Sequence, residues 1–207
     1  MFDQSPPTIP SEIDGFILVG GASKRMGRDK AKLKLGALDF IERVARAMAP
    51  VTRDLRLVSS RARSGPWPLP TVYDLYPDCG ALGGIHAALS ASRSPWTLIV
   101  ACDLPFITTE FLALLVQARS ASEAIVPIQA DGRAQPLCAL YKSQPCLKRA
   151  SALLRSGERR VGALLERLDV RYIASEEYAH LPGAERLLFN VNSPTDYARA
   201  SALEQAS

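Results

Sequence analysis

The sequence predicts an α/β fold with a mostly parallel sheet, and three of its features do so. Short apolar runs rich in β-branched residues alternate with longer segments of helical period, the rhythm of repeated strand–helix–strand units. One run, WTLIVA at 96–101, is apolar almost without interruption, as a central strand covered on both faces must be. A glycine-rich, basic stretch falls just after the first strand-like run, at the carboxyl end where open α/β sheets take their ligands.

At 207 residues, 47% of them apolar and 22% charged, the chain has the make-up of a folded globular protein, long enough for a core and a cleft. The expected division is a flexible tail over 1–14 and a single domain over 15–204. The opening stretch MFDQSPPTIPSEIDG has neither a basic start nor an apolar run, so it does not read as a secretory signal. No apolar run nears the ~18 residues of a membrane span. A cytoplasmic location is expected, with no membrane partner. Lys and Arg number 25 against 21 Asp and Glu, a net +4 spread along the chain without a basic block interleaved with aromatics, which argues against nucleic acid as a partner. The cysteines at 79, 102, 138 and 146 form no C-x-x-C pair and read as small buried apolar side chains.

Taken in order, the first strand is expected over 15–19. A helix follows over 39–49, where Phe40, Ile41, Val44, Ala45 and Met48 share one face, and Pro50 ends it. Residues 55–58 read as the second strand, 61–70 as a loop holding Gly65, Pro66, Pro68 and Pro70, and 71–73 as a short strand running into Asp74. A glycine-rich turn opens a helix over 85–92. After the strand at 96–101, Thr108 or Thr109 caps a helix bearing Phe111, Leu112, Leu114 and Leu115. Further strands are expected over 123–128, 136–141, 170–174 and 187–191, and helices over 144–155, 161–168 and 194–204, the last with Pro194 in its first turn.

The chemistry sits in a few motifs. GGASKRMGRDKAKL, 20–33, directly follows the first strand. Its glycines let backbone N–H groups approach phosphate oxygens, and Lys24, Arg25, Arg28 and Lys30 beside such a nest suit a triphosphate or pyrophosphate. The stretch lacks the G-x-G-x-x-G of a dinucleotide fold, and the five residues between Gly21 and Gly27, with Arg28 next, exclude a Walker A loop. ACDLPF, 101–106, puts Asp103 at the tip of the central strand, where its hard oxygens suit magnesium or cap the following helix. Asp74, ahead of GALGGIH at 80–86, suits a ribose, a base edge or a turn. In GERRVGALL, 157–165, Arg159 and Arg160 favour an anion, although exposed charge is the commoner reason for such a pair. In FNVNSPTDY, 189–197, Asn190 and Asn192 lie on one side of an extended segment and could hold a polar substrate, while Asn192 or Ser193 caps the last helix. His86 and His180 form no triad or metal cluster.

Together these motifs resemble one family, the molybdenum cofactor guanylyltransferases of the nucleotidyltransferase superfamily. Gly20, Gly21, Ser23, Arg25, Met26, Gly27, Asp29 and Lys30 match its opening signature. Gly80, Gly83, Gly84 and Ile85 follow, then Cys102-Asp103-x-Pro105, Gln135-Pro136-Leu137 with Tyr141, the run 157–161, and Asn190-Val191-Asn192-x-Pro194, all in the family's order. Val19 stands where Ala is usual, Ala81 where Pro is usual, and Val58 where some members carry a nucleotide-contacting Asn.

The resemblance implies a three-layer α/β/α Rossmann-like nucleotidyltransferase fold with a mixed, mostly parallel sheet. It implies transfer of GMP from GTP to the phosphate of molybdopterin, with release of pyrophosphate. Carried over residue by residue, Leu18, Val19 and Gly20 would contact the guanine through backbone groups, with Gly21 beside them. Arg25 and Lys30 would hold the triphosphate, Asp74 would contact the nucleotide, and Asp103 would bind magnesium. Arg159 or Arg160, Asn190 and Asn192 would lie on the pterin side. Transient contacts with a molybdenum insertase and with recipient molybdoenzymes or their chaperones are also implied. Cytidine-using relatives carry L-A-A-G where this chain has Leu18-Val19-Gly20-Gly21, which favours guanine. Cytidylyl transfer to the same cofactor and a non-catalytic cofactor-binding or delivery protein are the competing readings.

Overall fold

The computed structural model describes residues 12–20, 33–60, 68–76 and 78–205. In chain order the elements are β1 (Ile13–Val19), a hairpin of β2 (Lys34–Leu35) and β3 (Leu38–Asp39), α1 (Phe40–Met48), β4 (Asp54–Ser59), β5 (Thr71–Tyr73), α2 (Gly80–Ala91), β6 (Trp96–Ala101), α3 (Thr109–Gln117), β7 (Ala124–Pro127), β8 (Cys138–Lys142), α4 (Ser143–Arg155), α5 (Val161–Leu165), β9 (Val170–Ile173), α6 (Ser175–Tyr178) and α7 (Pro194–Gln205). Seven strands form one sheet in the order β5-β4-β1-β6-β8-β7-β9. β1 lies parallel to β4 and β6, and β5 parallel to β4. β8 runs antiparallel to β6 and β7, and β9 parallel to β7, so the sheet is mixed and mostly parallel, as expected.

Strand alternation builds a core on each face. Ile13, Ile17 and Val19 of β1, with Leu98 and Val100 of β6, pack against Val44 and Met48 of α1 and Phe111 and Leu115 of α3. Phe16, Leu18 and Ile99 point the other way, onto Ile85 and Leu89 of α2 and Ala150 and Leu153 of α4. Burying each of the larger side chains contributes about 1.5–3 kcal/mol, so a register slip of one residue would forfeit both cores. A third, smaller cluster of Leu35, Phe40, Phe106, Val191 and Ala200 fastens the hairpin and α7 to the turn after β6. There the Tyr197 hydroxyl donates to the Lys34 carbonyl at 2.6 Å, and Arg43 of α1 pairs with Glu204 of α7.

Local signals explain the helix starts. Asp39 accepts from the Glu42 N–H at 2.8 Å while Glu42 accepts from the Asp39 N–H at 2.9 Å, a reciprocal cap on α1. Thr108, rather than Thr109, caps α3 by accepting from the Phe111 N–H at 3.3 Å. The structure departs from expectation in several places. β1 starts two residues early, at Ile13, and α2 starts at Gly80, so the glycine-rich turn is the helix's own first turns. The hairpin and α6 are additions. Residues 187–191 are not a strand: a run of turns ends at Leu188, with the Arg186 N–H on the Gly183 carbonyl (2.9 Å) and the Phe189 N–H on the Arg186 carbonyl (3.0 Å), and 189–191 are irregular. A strand would send Leu187 and Leu188 to opposite faces, whereas both are buried in the same core. Among the described residues, no helix is long and apolar enough to cross a membrane.

Candidate functional site

The parallel strands converge on one edge, the carboxyl ends of β5, β4, β1 and β6. At the tip of β1, Leu18 and Val19 bury their side chains, so only backbone is left to border the edge there. The Leu18 carbonyl accepts from the Cys102 N–H at 3.1 Å, which draws the turn after β6 against the end of β1. Gly20 comes next, and none of the described residues comes within 4 Å of where a Cβ would stand. Gly21, Arg25 and Lys30 lie outside the described residues.

Asp74 follows β5 and is tied to β4 through its N–H on the Ser59 carbonyl (3.0 Å). Its carboxylate accepts from the Tyr76 N–H at 2.8 Å. The other side of the carboxylate rests on Gly83 of α2, where an added Cβ would stand 2.7 Å from one carboxylate oxygen and 3.1 Å from the other. Glycine at that helical position is therefore a seat for Asp74. Burial raises the Asp74 carboxyl above its ordinary value, against the opposing pull of the Tyr76 N–H and of His86. By contrast, Gly84 lets α2 lie close to Leu18, at ordinary contact distance.

Asp103 sits half-buried in the turn that ends β6, with the Leu104 N–H on the Ala101 carbonyl at 3.3 Å. Its own carbonyl accepts from the Val191 N–H at 2.9 Å. Because Val191 is buried in the third cluster, its neighbours Asn190 and Asn192 are held beside Asp103. The chain then turns into α7: Asp196 accepts from the N–H groups of Asn192 (3.0 Å) and Ser193 (2.8 Å), and Ser193 caps the helix through the Asp196 N–H at 3.2 Å. The reversed direction of β8 brings its amino end to the same edge, where the Leu137 carbonyl accepts from the Ala101 N–H at 2.7 Å and Gln135 is buried.

The two arginines of the GERR motif separate. Arg160 pairs with Glu158 at 2.8 Å, and Glu158 also accepts from the N–H groups of Arg159 (2.8 Å) and Arg160 (2.9 Å). The Arg160 hydrogen bond, followed by those two N–H groups, brings the Glu158 carboxyl down to about 2. Arg159 instead reaches the Asp78 carbonyl at 3.4 Å, at the start of α2. The recorded contact of Arg159 is thus on the Asp74 side of the edge rather than on the segment of Asn190 and Asn192. Sequence reasoning gave no role to His86 or Tyr76, whose rings meet edge to face beneath Asp74 with centroids 4.9 Å apart. The one available signal was that His86 falls one helical turn after Gly83.

The likeness to known proteins extends over this whole arrangement. Residues 15–172 match the MobA-like NTP transferase domain. A protein of Pelotomaculum thermopropionicum named probable molybdenum cofactor guanylyltransferase is 34% identical over 194 residues, 93% of this chain and 94% of that one. The molybdenum cofactor guanylyltransferase of Vibrio cholerae is 31% identical over 204 residues, 97% of each chain. The crystal structure of molybdopterin-guanine dinucleotide biosynthesis protein A from Archaeoglobus fulgidus superposes with a TM-score of 0.80 at 26% identity, over 94% of this chain and 100% of that one. With the mixed sheet, the carboxylates at its carboxyl edge and the extent of these matches, the chain belongs to the MobA-like family of nucleotidyltransferases.

Proposed function

We propose that the chain transfers GMP from GTP to the phosphate of molybdopterin and releases pyrophosphate. The observation that carries this reading is the hydrogen bond from the Val191 N–H to the Asp103 carbonyl, 2.9 Å, which fastens the asparagine segment to the carboxylate turn. A nucleotide side (Leu18, Val19, Gly20, Gly21 and Asp74) and an acceptor side (Asn190 and Asn192) then share Asp103 between them. Arg159, on the Asp78 carbonyl, lies on the nucleotide side, while Arg160 is engaged by Glu158.

The donor set suits magnesium. Among the described residues no three His, Cys, Asp or Glu side chains gather as a closed metal site. A lone hard carboxylate is what magnesium takes when phosphates and water fill its other positions. Asp103 would hold it, and the ion would supply positive charge against the phosphates. The chain's own groups do the rest. Peptide groups at the end of β1 read the base, and Arg25 and Lys30 neutralise the triphosphate. An oxygen of the acceptor phosphate attacks the α-phosphorus, and the bond from that phosphorus to the bridging oxygen breaks. Pyrophosphate leaves with the electron pair. The nucleophile is already ionised, so no general base is needed, and catalysis is positioning plus charge stabilisation. The product would pass to an insertase or to recipient molybdoenzymes and their chaperones.

The test supplies purified protein with molybdopterin cofactor and magnesium, and offers GTP and CTP in parallel. Pyrophosphate release with GTP and a pterin product heavier by GMP is the expected result. Release with CTP alone would make this a cytidylyltransferase. Nucleotide binding without release from either would favour the cofactor-binding or delivery reading.

A further inference from the structure

His86 lies in the second turn of α2, only 7% exposed, yet none of the chemistry above uses it. Its Nε2 shares a hydrogen bond of 3.0 Å with the Ser151 hydroxyl of α4. Its Nδ1 is buried and has no hydrogen-bond partner among the described residues. As filler this is a poor choice: a leucine or phenylalanine would occupy the space without burying an unpaired ring nitrogen. The imidazole does have one well-defined neighbour. The Tyr76 ring stands nearly perpendicular to it, with centroids 4.9 Å apart and an interplanar angle of 86°. Tyr76 is also the residue whose N–H holds the Asp74 carboxylate at 2.8 Å.

We infer that His86 is a positioning residue of the nucleotide subsite: it supports Tyr76 from below and, through the Tyr76 backbone, fixes where Asp74 presents its carboxylate. The inference rests on the reading of Asp74 as a nucleotide contact. Asp74 is gripped from two sides, by Gly83 of α2 and by the Tyr76 N–H. Gly83 is part of α2, whereas Tyr76 lies in the loop before it, held there by the Cys79 N–H on its carbonyl at 3.2 Å. His86 closes that side and is itself anchored to α4 by Ser151. The electrostatics agree with this closeness. Burial lowers the His86 imidazole, Asp74 acts on it in the opposite sense, and Arg155 of α4 adds to the lowering. Burial and Arg155 thus favour the neutral ring, a prop between two helices and a loop.

The test measures equilibrium binding of magnesium–GTP to the full chain, alongside thermal stability and the kinetics of GMP transfer. His86→Ala is expected to weaken nucleotide binding about tenfold, while turnover at saturating GTP changes less than about twofold. His86→Phe keeps a flat ring against Tyr76 and is expected to restore most of the affinity. Ser151→Ala, which loosens the ring without removing it, is expected to weaken binding about threefold, and it decides the matter should His86→Ala not fold. Combined with Asp74→Asn, the loss from His86→Ala should largely disappear, because both act through one carboxylate. Wild-type affinity in His86→Ala, or losses that simply add, overturns the inference while the reading of Asp74 stands. Wild-type affinity in Asp74→Asn removes both together.

Discussion

Asp14 and Asp74 stand at opposite ends of the same parallel strands and are used in opposite ways. Asp14, in β1 at the amino end, is 1% exposed and accepts from the N–H groups of Arg93 (2.6 Å) and Ser94 (3.1 Å). It also accepts from the hydroxyls of Ser94 (2.9 Å) and Ser92 (3.3 Å) and from Arg53 at 3.0 Å. Ser143 continues the network, donating to the Ser94 carbonyl at 2.6 Å and bonding Thr97 at 2.8 Å. At the carboxyl end, Asp74 accepts one hydrogen bond among the described residues and leans on a glycine. One end saturates its carboxylate to join β1, the α2–β6 loop and α4. The other keeps acceptor capacity in hand among the described residues, at a cost in solvation.

Three substitutions can break this division, in falling order of effect, and a comparison across pH follows them. Asp103→Ala should reduce GMP transfer at least about a thousandfold, roughly 4 kcal/mol of barrier, with the fold intact; near-normal turnover at saturating magnesium would remove Asp103 from the metal site. Asp14→Ala should do the reverse, costing about 2–4 kcal/mol in denaturant unfolding because several buried donors lose their acceptor, while the folded fraction keeps its specific activity. A stable but inactive Asp14→Ala would place chemistry at the wrong end. Gly83→Ala should weaken GTP binding about tenfold, since its Cβ competes with the Asp74 carboxylate. Its melting temperature should hold or fall slightly, because the gain of up to about 1 kcal/mol for alanine over glycine within a helix is set against a Cβ 3.1 Å from the Tyr76 backbone carbonyl. Unchanged affinity there would show that Asp74 does not need its seat.

The smallest effect concerns pH, and the two ends carry opposite signs. Burial pulls the Asp14 carboxyl up, but its hydrogen bonds and Arg53 outweigh this and hold it below the ordinary value. A carboxyl lowered on folding stabilises the protein above its unfolded pKa, about 4, and that contribution is lost as pH falls through the lower folded value. Asp74 is raised on folding, so its ionisation penalises the folded state above that raised value, and the penalty vanishes on acidification. Urea unfolding should therefore find Asp74→Asn slightly more stable than wild type at pH 7, with the gain gone below about pH 4. Asp14→Asn should be less stable at pH 7 and converge on wild type in acid. A destabilised Asp74→Asn at pH 7 would make its role structural.

Much of this was legible before any coordinates. The apolar run of β6, the 3.6-residue face of α1 and the Asp103 turn follow from pattern, because each is dictated by burial or by a strand's end. Strand direction was not: β8 is buried on both faces, and an apolar run reads the same either way along the sheet. The hairpin escaped notice because Lys34–Leu35 and Leu38–Asp39 are too short to alternate, and only Gly36, with φ of 63°, marks the turn. Leu187 and Leu188 looked like a strand because composition reports apolarity and not the i→i+3 turns that bury both on one side. Asp14 drew no attention because its donors lie about 80 positions away.

The Tyr197 hydroxyl meets the Lys34 carbonyl across 163 positions, and Val191 closes on Asp103 from the same late segment. Closing a loop that long has an entropic cost that grows with the logarithm of its length, and nothing local offsets it in advance. The central strands and their helices can find one another first, through contacts between successive units. The clasp beside the Asp103 turn should therefore form late in folding. Topology alone thus favours completing the sheet before the last segment closes on the Asp103 turn.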